Sequence, residues 1–192
     1  EVRVADVEFN REQICAQIAE AKKQEVSILV FPELALTGYT CGELFIQKPL
    51  LTKAKEELKA LLAYTKGSDM LIFVGLPWEY NNKLYNTAAA IQDGKLLGLI
   101  PKRWIPNYSE FYEGRYFNPG WDAPVFVPWE EDAVPMGSRI LFSCTNVENL
   151  VVGAEICEDL WVLNPPSIEH ASAGATVIVN CSASDEITGK GE

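Results

Sequence analysis

Apolar and polar positions alternate along this chain with two different periods. Between Asn10 and Gln24 the apolar residues Ile14, Ile18 and Ala21 recur at helical spacing among polar neighbours, which predicts an amphipathic helix with Asn10 as its cap. The apolar run from Ser27 to Phe31 then reads as a buried strand, and Leu51 to Lys66 as a second helix stopped by Gly67. A strand follows from Met70 to Gly75. From Trp78 to Ile100, short strands separated by turn signals at Asn81-Asn82 and Asp93-Gly94 predict an antiparallel meander.

Beyond Lys102 the pattern loses its period. Lys102 to Trp121 is rich in aromatic residues, Pro and Gly and reads as a structured surface loop, and Val127 to Gly137 as an exposed one. Strands resume at Ile140 to Ser143 and Leu150 to Ile156, followed by a helix over Pro166 to Ala173 and a strand from Thr176 to Asn180. Helices and sheets alternate without Rossmann order, so the fold class is α/β, a layered sandwich. No internal repeat or low-complexity tract interrupts it.

With 192 residues the chain suits one domain, and 48% hydrophobic with 22% charged residues is a globular composition. A net charge of −11 speaks against nucleic acid or anionic lipid as a partner. No apolar run is long enough to span a membrane and the first residues make no signal peptide, so a soluble, cytoplasmic protein is expected. The chain starts without methionine and stops at Gly189-Lys190-Gly191-Glu192 after a strand-like segment, so a missing neighbouring segment is expected.

Five scattered cysteines (Cys15, Cys41, Cys144, Cys157, Cys181) with no CxxC pair form neither a disulfide framework nor a zinc site, and one histidine cannot build a multi-imidazole metal centre. No metal is expected, and chemistry must come from carboxylates, thiols, lysines or backbone. The strand Leu150–Ile156 ends abruptly in Cys157-Glu158-Asp159. A thiol at a strand's end faces a pocket, and neighbouring backbone N–H groups can face an oxyanion, an arrangement suited to acyl transfer. A buried structural cysteine explains this segment equally well.

A thiol near pKa 8.5 needs a base or a cation beside it. His170, in a helix 13 residues on, reads as a helix-surface residue. Glu33 follows a buried strand in Phe31-Pro32-Glu33-Leu34, and Lys102 closes another in Leu99-Ile100-Pro101-Lys102. Each is by itself as consistent with a solvated charge as with a site group.

Together, strand-terminal Glu33, Lys102 and Cys157 resemble the catalytic set of the nitrilase, or carbon-nitrogen hydrolase, superfamily. The stretches from Phe31 to Phe45, Pro106 to Phe117 and Glu155 to Trp161, with Asn180-Cys181-Ser182-Ala183-Ser184 and Gly189-Lys190, resemble the glutaminase domain of glutamine-dependent NAD synthetases. The resemblance covers most of the chain. It implies a four-layer αββα sandwich, with Glu33 as general base, Cys157 as the nucleophile that forms a glutamyl thioester, and Lys102 as the cation facing the tetrahedral intermediate. Glu113 matches a glutamate that orients the lysine and steers the hydrolytic water.

The same carry-over places Tyr39, Tyr108, Glu158, Trp161, Ser184 and Lys190 around glutamine, Glu158 toward the α-ammonium and Lys190 toward the α-carboxylate. Some relatives carry Arg at the Lys190 position and another aromatic residue at the Trp161 position. The family's domain has an additional N-terminal strand and further strands beyond Lys190, so an incomplete sandwich is expected. The resemblance also implies a homo-oligomer and a synthetase domain as partner. No cofactor is expected here, because ATP and Mg²⁺ belong to that synthetase domain, and this chain has no GxxxxGK[ST], Ser-Gly-Gly or GxGxxG motif. It would supply ammonia for making NAD from deamido-NAD without making NAD itself. A free-standing amidase for another small amide, and a non-catalytic oligomerisation or docking domain, are the competing readings.

Overall fold

The computed structural model describes residues 1–185 and 188–189. Two sheets lie between two helical layers. Helix α1 (Val7–Lys23) and helix α2 (Lys48–Tyr64) cover one face of a six-stranded sheet in the order β1-β2-β3-β4-β6-β5. Its strands are β1 (Ile28–Val30), β2 (Leu71–Tyr80), β3 (Lys83–Gln92), β4 (Lys95–Pro101), β5 (Val125–Trp129) and β6 (Asp132–Met136). The other face packs on a three-stranded sheet of β7 (Leu141–Ser143), β8 (Val151–Ile156) and β9 (Val177–Cys181), whose outer side meets α3 (Pro166–Ser172). This is the αββα sandwich that the resemblance implies.

The two-residue period of β2 explains the layering. Ile72, Val74 and Leu76 point into the core under α1 and α2, while Leu71 and Phe73 face Val152, Ala154 and Ile156 of the second sheet. Both faces are therefore apolar. Pro77 is tolerated because β1 pairs only with residues 71–73 of β2, which leaves the Pro77 side of the strand without that neighbour. Asn81 and Asn82 both have positive φ, as do Asp93 and Gly94, so the two hairpins close where their turn residues predict.

Several elements differ from expectation. The cap of α1 is Asp6, whose carboxylate accepts from the Phe9 N–H. Asn10 is buried within the helix and ties it to the Arg3 and Leu36 carbonyls. Helix α2 starts earlier, at Lys48, with Pro49 in its first turn, where the missing N–H costs nothing. The Val127–Gly137 stretch is no exposed loop, because it takes in most of the β5–β6 hairpin and buries Val127, Val134 and Met136. Its turn, Glu130-Glu131, sets Glu130 at φ +54 without a usual turn residue, and Glu130 pairs with Lys59 of α2.

His170 does not lie on the helix surface. It is 2% exposed, its ring packs over Gly153, and Nε2 meets the Ala154 carbonyl at 3.2 Å. Burial holds its pKa below the ordinary imidazole value. The Lys102–Trp121 stretch, read as a surface loop, carries Glu113 and Phe117 inward.

Candidate active site

Three strand ends meet at the edge of the space between the sheets. Glu33 follows β1, Lys102 follows β4 and Cys157 follows β8. Lys102 is fully buried, and its Nζ lies 2.6 Å from Glu33 Oε1 and 2.7 Å from Glu113 Oε1. Asn86 of β3 donates from Nδ2 to Glu33 Oε1 at 2.6 Å and to Glu113 Oε2 at 3.4 Å. The Tyr39 hydroxyl donates to Glu113 Oε1 at 2.7 Å, and the Ala183 N–H to Glu33 Oε2 at 3.3 Å. Taking two carboxylates and one ammonium out of water is tolerable only with this dense bonding, and deleting one partner of a buried pair costs about 3–5 kcal/mol.

The cluster holds two acids against one amine, and the protonation states follow. Burial raises the Glu33 carboxyl above the usual range, opposed by the Lys102 charge and reinforced by Glu113. Burial alone would lower the Lys102 amine, but the two glutamates outweigh it and hold its pKa above the ordinary value. Lys102 stays charged, and Glu33, held above the usual carboxylate range, can accept a proton.

Cys157 sits at φ +43, a left-handed conformation that strains a residue with a side chain. Asn180 of β9 holds it there: Oδ1 accepts the Cys157 N–H at 3.0 Å, and Nδ2 donates to the Cys157 carbonyl at 3.4 Å. The Cys157 N–H is thereby taken and is not offered to an oxyanion. The half-buried thiol lies near Glu33 and Ser182. Burial and the charge of Glu33 raise its pKa, while Ser182 and Lys102 pull the other way. Such a thiol rests protonated at neutral pH, and the neighbouring carboxylate can receive its proton.

Of the remaining residues singled out in the sequence, Tyr39 stands at the cluster through Glu113. Tyr108 donates to Glu158 Oε2 at 2.8 Å on the exposed rim. Trp161 is 75% exposed and Ser184 is exposed. Lys190 lies outside the described residues. A cavity of about 120 Å³ opens on the side of Glu113, walled by Tyr39, Phe45, Phe111, Tyr112 and Phe117, and its lining does not include Cys157. Asn86, Asn180, Ser182 and Asp159 were not found by sequence reasoning. Asp159, Asn180 and Ser182 lie within the stretches that carry the family resemblance, whereas nothing in the sequence around Asn86 marks it.

A layered sandwich whose strand ends deliver an acid, an amine and a thiol to one hollow has the architecture of the nitrilase-type hydrolases. A Nesterenkonia AN1 amidase from the nitrilase superfamily superposes with a TM-score of 0.68 at 20% identity, over 97% of this chain and 63% of that one, a likeness of fold. The chain belongs to the carbon-nitrogen hydrolase family, whose model matches residues 2–191.

Within that family it is similar to a glutamine-dependent NAD(+) synthetase from Mycobacterium leprae, 34% identical over 189 residues. The match takes in 98% of this chain and only 28% of that relative's length. The crystal structure of a glutamine-dependent NAD(+) synthetase from Cytophaga hutchinsonii superposes with a TM-score of 0.86 at 30% identity, over 100% of this chain and 30% of that one.

Proposed function

We propose that this chain hydrolyses the side-chain amide of glutamine to glutamate and ammonia, and that the ammonia serves an ATP-dependent synthetase domain that amidates deamido-NAD to NAD. The observation that carries the chemistry is that one buried carboxylate, Glu33, bonds the Lys102 amine at 2.6 Å and lies near enough to the Cys157 thiol for its charge to raise the thiol's pKa. Glu33 takes the thiol proton as Cys157 Sγ attacks the amide carbon, and the Lys102 ammonium offsets the oxyanion. Collapse expels the amide nitrogen, which leaves as ammonia with the proton from Glu33. Water, deprotonated by Glu33, then cleaves the thioester, and glutamate departs with the thiol restored.

Glu113 bonds Lys102 at 2.7 Å and, in this reading, steers that water. The Glu158 carboxylate at the rim, bonded to Tyr108, suits the α-ammonium of an amino-acid substrate, with Tyr39, Trp161, Ser184 and Lys190 as the rest of the pocket. The likeness to glutamine-dependent synthetases supports glutamine as substrate and a synthetase domain as partner.

The test is glutamate release from glutamine by the full-length protein, beside kcat/KM for other ω-amides and for nitriles. Glutamine is expected to be preferred, and Cys157→Ala to abolish turnover. Turnover that survives Cys157→Ala overturns the mechanism, and preference for another amide overturns the substrate.

A further inference from the structure

Lys102 and Cys157 stand at the ends of strands in different sheets. Apolar packing holds the two sheets together, and such contacts bring layers close without defining the position of one strand end against another, because they have no direction. Directional bonds must supply that.

Three of them converge on one carboxylate. Asp159 Oδ1 accepts the Arg103 N–H at 3.0 Å and the Trp104 N–H at 2.8 Å, and Oδ2 accepts the Ile156 N–H at 3.0 Å. Arg103 is the residue after Lys102, and Ile156 is the residue before Cys157. A single side chain thus bridges the backbone beside the amine to the backbone beside the thiol.

We propose that Asp159 is a positioning residue that sets the separation of the Lys102 amine from the Cys157 thiol. Its catalytic consequence rests on the amide-hydrolysing reading above. The residue is 1% exposed, and its hydrogen bonds named above go to backbone N–H groups, an expensive way to place a carboxylate unless its acceptors are used. An apolar side chain could fill the same space but could not join the two segments. Burial raises its pKa to about 7, and the Lys102 charge and the three N–H groups oppose that rise.

Asp159→Asn keeps the size but loses the charge and one acceptor, so one of the two segments is released. Displacement of reacting groups by about 1 Å lowers turnover about 10²-fold. In the full-length protein, Asp159→Asn is expected to lower kcat for glutamine by about that factor with KM little changed. Alkylation of Cys157 by iodoacetamide should slow, with its pH profile moved upward as the Lys102 charge withdraws from the thiol. Asp159→Glu, which restores the charge and both acceptors on a longer arm, should fall between, about tenfold below the parent.

Parental kcat and an unchanged alkylation profile in Asp159→Asn, or a loss lying wholly in KM, overturn the proposal. If Asp159→Asn gives no folded protein, Asp159→Glu decides by the same comparison, and parental values there overturn it. A parent protein inactive on every amide overturns the amidase reading instead, while the alkylation profile, which needs no substrate, still judges Asp159.

Discussion

Gly75→Ala puts one methyl group where the chain that carries Glu33 crosses β2. A Cβ at this position would stand 2.2 Å from the Leu34 nitrogen, 2.6 Å from the Pro32 oxygen and 2.8 Å from the Glu33 carbonyl carbon. All three are backbone atoms, so no side-chain rotation relieves the clash. Bringing 2.2 Å out to an ordinary contact of 3.4 Å requires about 1.2 Å of displacement. The crossing segment has little freedom to give it, because Phe31 N–H bonds to the Phe73 carbonyl at 2.9 Å and Leu36 N–H to the Gly75 carbonyl at 3.1 Å.

A shift of that size, carried to Glu33, takes its oxygen out of hydrogen-bonding range of Lys102 Nζ, now 2.6 Å away. The expected result is a stability loss of about 1–3 kcal/mol, the usual cost of overpacking. With it goes a fall in kcat of about 10²-fold, the usual cost of a 1 Å misplacement. Urea denaturation reads the first, and steady-state ammonia release from glutamine reads the second. A variant that keeps the parent's midpoint and kcat would refute the claim that the bare backbone of Gly75 holds Glu33 in place.

Two further outcomes follow from the same geometry. The base form of Glu33 is ionised and its carboxyl is raised by burial, so kcat/KM should fall as pH drops through a value above the ordinary glutamate pKa of about 4.3; an acid limb at or below 4.3 in a pH–rate profile would contradict that assignment. Gly153→Ala would set a Cβ 2.8 Å from His170 Cγ, forcing α3 away from β8, and should cost about 1–3 kcal/mol in thermal unfolding while amide hydrolysis persists; a parental melting temperature would show that the α3 layer yields freely.

Local chemistry made much of this protein readable in its sequence. The hairpin turns at Asn81-Asn82 and Asp93-Gly94 follow from residues that accept positive φ, and the strands from apolar runs of the right length. The β5–β6 hairpin was missed because its turn is Glu130-Glu131, which carries no such signal and is held by a lysine from a distant helix. The cap of α1 was misplaced for a related reason. Asp6 and Asn10 are both suitable residues, and only the contacts of Asn10 with Arg3 and Leu36 show that it serves the core instead.

The strand-end positions of Glu33, Lys102 and Cys157 could be read from the chain, since each closes an apolar run. Tertiary structure alone decided that they share one hollow, that Asn86 bridges the two glutamates, and that Asn180 and Asp159 hold the thiol's turn. The reason is distance along the chain. Lys102 follows Glu33 by 69 positions, both at strand ends of the six-stranded sheet, and Ala183 follows it by 150, just past a strand of the other sheet, so the first contact exists only once the six-stranded sheet has assembled and the second only once the two sheets have packed. A residue's neighbours in sequence set its backbone preference, but its charge state and partners depend on what that packing removes from water.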